Sequence, residues 1–231
     1  MTKHPTQLTK GAWLVIDGSS ASTFVGVLEI SESACKWLAY SRSGAAPLES
    51  LFPSVEDILK KSRLGFEAIH GYLYSEGPGS VLGLRLCAMA IQTWAKLYPQ
   101  TAHFYGFNSL QLAAANLLNT ENPSQALIVS DWKRTAWNSV RISDGCLGPC
   151  TPISSEKLEQ YSGPLYHLPA RKGWQAPPEK AQGIQDHPEK LHELIHFQGL
   201  LKPCDDVQLY TSGTNLFQKW TPERHRGKVT S

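Results

Sequence analysis

Charge is scarce in this chain and nearly cancels. Its 231 residues hold 22 Lys and Arg against 20 Asp and Glu, a formal net charge of +2. No global field therefore draws it to nucleic acid or to an anionic membrane. The one basic stretch, Lys219 to Lys228, reads as a solvated end rather than an RNA arm. Long apolar runs are also missing. No segment approaches the ~20 residues that a bilayer-crossing helix needs, and Met1 to Lys10 has no apolar block like that of a signal peptide. Cysteine is sparse and odd in number: Cys35, Cys87, Cys146, Cys150 and Cys204. Cys35 and Cys87 sit inside apolar patterns, as buried thiols do. Cys146 and Cys150 stand four apart, which is not a usual zinc spacing. A reduced, cytoplasmic protein with no membrane partner is expected. No Walker loop, Gly-x-Ser-x-Gly elbow or internal repeat is present.

What the chain does have is apolar residues at 41%, enough for a globular fold of one large domain or two small lobes. Ala12–Gly18 reads as a buried strand ending in an acid, with strands Thr23–Ile30 and Ala34–Tyr40 after it. Leu48–Arg63 follows as a helix, with Leu51, Phe52, Val55, Ile58 and Leu59 at helical spacing. Pro53 within it predicts either a kink or a later start. A strand over 68–74, a helix from Val81 to Leu97, a strand near His103–Phe107 and a helix Asn108–Leu118 complete the first unit. Three antiparallel strands followed by α, β, α, β is the ordering of a ribonuclease-H-like lobe. A weaker second cycle starts after Pro123, with strands Ala126–Asp131 and Ala136–Ile142. Trp13-Leu-Val-Ile-Asp17 and Leu127-Ile-Val-Ser-Asp131 both place an acid at a strand end before a hairpin. Actin-like ATPases build paired phosphate-facing loops by such duplication. Residues 171–190 read as an exposed connection, His187–Leu201 as a helix and Val207–Tyr210 as a last strand.

The most informative stretch is the loop Gly77-Pro78-Gly79-Ser80 and the helix that leaves it. Glycine admits close approach of another backbone or a ligand, and Ser80 is placed to cap the helix. Free amides at such a terminus suit an anion such as a nucleotide phosphate. Ser75 and Glu76 beside the loop read as turn-packing residues. Polar positions on the helix are few, with Arg85, Gln92 and Lys96 on one narrow stripe. Leu82, Leu86, Met89 and Ala90 line one side; Leu84, Ala88, Ile91 and Ala95 line another. A helix apolar almost all round must be covered on two sides, by its own sheet and by a neighbouring helix or second protein.

These segments resemble the TsaB family, the small actin-like partner protein in bacterial tRNA threonylcarbamoyladenosine (t6A) synthesis. Gly-Pro-Gly-Ser-Val-Leu-Gly-Leu-Arg is similar to the family's Gly-Pro-Gly-Ser-Phe-Thr-Gly-Leu-Arg signature. Trp13-Leu-Val-Ile-Asp17-Gly-Ser-Ser resembles its first strand and turn, and Leu51-Phe-Pro53-Ser-Val-Glu-Asp-Ile-Leu its first helix. Leu209-Tyr210-Thr-Ser-Gly-Thr-Asn215-Leu-Phe-Gln-Lys219-Trp220 is similar to its closing segment. The likeness is close over residues 12–110 and loose over 143–205.

The resemblance implies a two-lobed actin-like α/β fold, a duplicated ribonuclease-H-like unit of mixed sheets flanked by helices. Residues 1–108 form the N-terminal lobe and 109–231 a smaller, diverged one. It implies a non-catalytic subunit that pairs with a catalytic TsaD-like paralogue, works beside a TsaE-like ATPase and meets tRNA only through the complex. The pairing helices match 48–63 and 80–97, which nominates Leu51, Val55, Ile58, Leu82, Leu86 and Met89 as interface. Self-association is the expectation when the partner is absent. The catalytic paralogues hold a metal with two histidines four apart after the fifth strand; Ser109 and Ala113 fall at those positions, and neither is a strong ligand. Phosphate-loop candidates are Asp17, Gly18, Ser19, Ser20, Gly77, Pro78, Gly79, Ser80, Asp131 and Lys133. ATP or ADP at the subunit junction is the one cofactor the resemblance leaves open. Gly18, Leu82 and Ala136 replace the family's Thr, Thr and Glu, so fewer hydroxyls and acids face the cleft, which argues against nucleotide binding by this chain.

One motif competes. His192-Glu193-Leu-Ile-His196 fits the zinc-protease pattern, with Gly199 where the extended form has Gly. On a helix the two His share a face and the Glu can activate a metal-bound water. The extended form's third His is Lys202 here, and Glu223 lies in a Pro- and charge-rich tail. Solvated faces of a terminal helix are the expected reading. An actin-like sugar or acyl kinase is a third option, disfavoured by a second half too short for a full lobe.

Overall fold

A computed structural model describes residues 8–169 and 176–210. Two six-stranded sheets, each flanked by helices, account for most of them. The first sheet comprises β1 (Gly11–Asp17), β2 (Thr23–Ile30), β3 (Cys35–Ser43), β4 (Ile69–Gly77), β5 (Phe104–Asn108) and β12 (Leu201–Cys204), in the order β12-β5-β4-β1-β2-β3. β1 pairs antiparallel with β2 and parallel with β4, and β4 parallel with β5. The crossovers between parallel strands run through α1 (Pro47–Ser62) and α2 (Val81–Leu97). The second sheet holds β6 (Gln125–Lys133), β7 (Ala136–Ser143), β8 (Cys146–Leu147), β9 (Thr151–Ser154), β10 (Leu165–His167) and β11 (Gln182–Gly183). Its hairpin β6–β7 and parallel strand β10 repeat the β1–β2, β4 arrangement. α4 (Ser155–Glu159), five residues long, follows β9 as the sixteen-residue α1 follows β3.

Burial explains the element types. Trp13 and Val15 of β1 face one side, Leu14 and Ile16 the other, and all four are fully buried. A strand covered on both faces reads as a continuous apolar run. One face packs on α1 and α2 through Leu51, Val55, Ile58, Ile91 and Trp94. The other packs on α3 (Ser109–Glu121) through Leu112 and Ala115. α3 turns Leu110, Ala114, Leu117 and Leu118 to the second sheet, against Ile128, Val140 and Ile142. It is thus the helix covered on both sides, the central layer between two sheets. Asn108 caps it, its side chain accepting from Leu110 and Gln111 N–H at 3.1 Å each.

The chain itself supplies one of the two covers expected for α2, and the helix expected over Leu48–Arg63 is α1. α2 is covered on one side only: Leu84, Cys87, Ala90, Ile91, Trp94 and Ala95 are buried, while Val81, Leu82, Met89 and Leu97 are 55–68% exposed. α1 runs from Pro47 with Pro53 inside it. The helix expected over His187–Leu201 is a 3-10 turn, Pro188–Lys190, and the one-turn α5, Leu191–Leu194. Gly199, at φ +80°, lies in the left-handed region that halts a helix, and Leu201 opens β12 instead. Finally, 207–210 are not a strand, and β12 returns the chain to β5 of the first sheet, so the last part of the expected second lobe belongs to the first. No helix of the described residues is long and apolar enough to cross a membrane.

Candidate functional site: the cleft between the sheets and the α1–α2 face

The ends of β1, β4 and β6 converge on a cleft of about 580 Å³. Crevices at the carboxyl ends of strands are where open α/β sheets take ligands. Ser19 and Ser20 line it from the turn after β1; Pro78, Gly79 and Ser80 from the glycine loop; Ser130 and Asp131 from β6. Of the phosphate-loop candidates, Asp17, Gly18 and Gly77 lie behind this lining. Lys133 does not reach it; its Nζ sits 3.9 Å over the Trp132 ring.

Packing decides what the glycines do. A Cβ on Gly79 would fall 2.2 Å from Ser19 O, and one on Gly83 2.4 Å from Gly18 O. The loop and α2 therefore press directly on the β1 turn. Ser80 N–H donates to Ser19 O at 2.6 Å, and Ser80 Oγ accepts from Gly83 N–H at 3.3 Å, the expected cap. Two amides expected to face an anion are thus occupied within the protein. The Gly77–Pro78 peptide is cis. Ser109 Oγ donates to Pro78 O at 2.7 Å, which commits the hydroxyl at the first paralogue-histidine position to holding the loop. Ala113, at the second, is buried. Ser75 Oγ accepts from Gly77 N–H at 3.3 Å, in the turn-packing role expected of it.

Among the described residues, the charged ones that line the cleft are two acids, Asp131 and Asp186, with Asp17 behind them. Asp17 is 3% exposed; its Oδ1 accepts from Ser19 N–H at 2.8 Å, and its Oδ2 is buried without a hydrogen-bond partner. Burial, with the nearby Asp186 charge, pushes Asp17 up to about 6. Asp186, also lining the cleft, accepts from Arg42 Nη2 at 3.0 Å. Ser130 Oγ is a second buried polar atom without a partner. Asp186, Arg42 and Ser130 escape sequence reasoning. Asp186 lies after the two-residue strand β11 with no motif around it, and only the tertiary fold brings it to Arg42 of β3.

The second candidate surface is the outer face of α1 and α2, which pack side by side. Leu51, Val55 and Ile58 are no part of it. They are 0–2% exposed because their stripe of α1 faces the first sheet, and this corrects their assignment as interface. Leu48 and Phe52 of the same helix are 68% and 52% exposed. Leu82 and Met89 of α2 are 68% and 66% exposed, and Leu86 is half-buried against the core. Phe52 meets Trp94 of α2 edge-on, ring centroids 5.9 Å apart, which joins the two helices into one apolar ridge.

The zinc-protease pattern does not assemble. α5 ends at Leu194, so His196 lies outside its only turn, where its ring sits tilted against Phe197 with centroids 4.7 Å apart. His192 Nδ1 accepts from Trp37 Nε1 at 3.0 Å, and Glu193 pairs with Lys190 at 3.1 Å. Among the described residues no group of three or more His, Cys, Asp or Glu is placed to hold a metal ion. The five cysteines are free thiols. The closing-segment likeness beyond Tyr210, and Glu223, lie outside the described residues.

Residues 45–135 match the family TsaD, tRNA N6-adenosine threonylcarbamoyltransferase. The match spans α1, the glycine loop, α2, α3 and Asp131, and so includes the α1–α2 face and part of the cleft lining. Among solved structures, YeaZ from Pseudomonas aeruginosa superposes with a TM-score of 0.51 at 17% identity, over 68% of this chain and 75% of that one. An uncharacterized protein with similarity to peptidase YEAZ from Pseudomonas aeruginosa gives 0.52 at 16%, over the same shares. No curated protein matches the chain. The fold is accordingly the two-lobed, actin-like one.

Proposed function

We propose that this TsaB-like chain is the non-catalytic partner subunit of a t6A-modifying complex, and that it docks a TsaD-like catalytic paralogue on the α1–α2 ridge. The observation that carries the reading is the ridge itself. Leu48, Phe52, Val81, Leu82, Met89 and Leu97 are each more than half exposed, on adjacent helices. Large contiguous apolar patches on a folded chain mark interaction surfaces, and a stable pairing there buries on the order of 1,200–2,000 Å² in total. The ridge lies within the stretch that matches the TsaD family, which supports a paralogue of the same fold as its occupant.

A non-catalytic role draws support from residue chemistry. Ser109 and Ala113 stand where the paralogue's metal histidines align, and the Ser109 hydroxyl is committed to Pro78 O. A TsaE-like ATPase and tRNA join through the catalytic subunit, and the exposed ridge favours self-association when that subunit is missing. Nucleotide at the subunit junction belongs to the assembled complex, since the acids of this chain's own cleft oppose a bare phosphate.

Co-expression with the host's TsaD-like paralogue, followed by size exclusion and tRNA nucleoside analysis, tests the reading. A co-eluting pair that restores t6A in cells lacking the endogenous TsaB-type subunit is expected. Separate elution with no t6A restored overturns it.

A further inference from the structure

The stretch between β11 and β12 crosses from the second sheet to the first and is held in two different ways. From Leu191 onward the hold is apolar: Leu191, Leu194 and Leu200 are fully buried, in one cluster with Leu112 and Ala115 of α3. From Asp186 to Glu189 the fastenings to β3 are polar. Arg42 Nη2 donates to Asp186 Oδ1 at 3.0 Å and lies 3.6 Å from Glu189 Oε2. Trp37 Nε1 donates to Glu189 O at 2.7 Å. This polar half is also a wall of the cleft, where Gln185 and Asp186 share the lining with Ser19, Ser20 and Ser130.

A strained residue sits in the middle of that half. His187 adopts φ +50° and ψ +58° immediately before Pro188, although a residue before proline is driven out of helical angles into extended ones. A non-glycine residue keeps a left-handed conformation only where its surroundings impose it. Here His187 Nδ1 lies 2.8 Å from Glu189 Oε1, and Glu189 is tied in turn to Arg42 and Trp37. Charge adds to the strain. The Asp186 side chain is 8% exposed, and a carboxylate at that depth without its cation is costly, so loss of Arg42 drives it toward water.

We propose that Arg42 clasps residues 185–190 as a flap on the cleft. Engaged, it holds Asp186 in the cleft wall. Released, the flap lifts from β3, His187 relaxes to the extended angles normal before proline, and the cleft opens. Both ends of the flap stay anchored. Ile184 N–H donates to His167 O of β10 at 2.9 Å, and Leu191, Leu194 and Leu200 keep their apolar cover. The device is therefore local: it needs neither lobe to unfold.

Hydrogen exchange and thiol labelling of the full chain test the flap. In Arg42→Met, the Lys190 amide, which donates to His187 O, should exchange roughly tenfold faster than in wild type, while the Ile184, Phe197 and Leu200 amides keep their protection. Ser130→Cys, at a cleft position 7% exposed, serves as reporter. Its alkylation, read peptide by peptide, should also be roughly tenfold faster with Arg42→Met than without it. Equal acceleration of all four amides overturns the proposal, because Arg42 then supports the whole fold. A Lys190 amide or a reporter thiol that Arg42→Met leaves unmoved overturns it as well. If Arg42→Met fails to fold, Arg42→Lys decides. A lysine cannot hold both carboxylates as the guanidinium does, so both readouts should rise roughly threefold over unchanged anchors, and no selective rise overturns the flap.

Discussion

At the scale of single residues, location separates side chains of equal hydrophobicity. Leu51 is fully buried and Leu82 is 68% exposed, though each is one leucine on a neighbouring helix. Leu51→Ala should cost about 2–4 kcal/mol of stability. Leu82→Ala should cost under about 0.5 kcal/mol. Chemical denaturation of the two variants checks both, and equal losses would contradict the assignment. Gly79 gives a second contrast, because its missing side chain is what lets Ser19 O approach. Gly79→Ala must displace backbone, and thermal melts should register a loss of about 1–3 kcal/mol.

Asp17 sets a pH dependence with a definite sign. A folded-state acid raised from 3.8 to about 6 stabilises most below the lower value, and that contribution is lost as pH rises through about 6. Asp17→Asn lacks the penalty. Its stability relative to wild type should therefore grow with pH, to about 1–3 kcal/mol at pH 7. Melting curves across pH 4–8 read the difference directly, and a gap that is constant or shrinks with pH would contradict it.

At the scale of elements, sequence pattern resolved whatever local periodicity decides. The strand over Thr23–Ile30 and the helix over Val81–Leu97 have the expected bounds, because turn residues and apolar spacing agree there. α3, and not α2, has both of its covers within the chain. α2 and α3 are both rich in apolar residues, and only the tertiary arrangement places α3 between two sheets. The His187–Leu201 stretch misled for a related reason. Leu191 and Leu194 have helical spacing, yet they are buried against the first sheet by a segment anchored through Glu189 O and Trp37. β12 was illegible because Pro203 argues against a strand. It is tolerated since β12 lies at the sheet edge. In the cleft, the contributions of Asp17, Gly79 and Ser80 followed from the glycine loop and strand ends. Asp186 and Arg42, 144 residues apart, did not.

At the scale of the molecule, two sheets share one central helix, and a returning strand ties the end of the described chain to its beginning. That arrangement leaves the outer face of α1 and α2 as the large apolar surface without cover among the described residues. The central claim is that this face docks a TsaD-like paralogue. Titrating the purified paralogue against wild type and against a Leu82→Glu, Met89→Glu double variant, with folding checked by circular dichroism, tests it most directly. A folded double variant that binds at least about 100-fold more weakly is predicted, from the loss of two centrally placed apolar contacts. A folded double variant that binds as tightly as wild type would contradict the account.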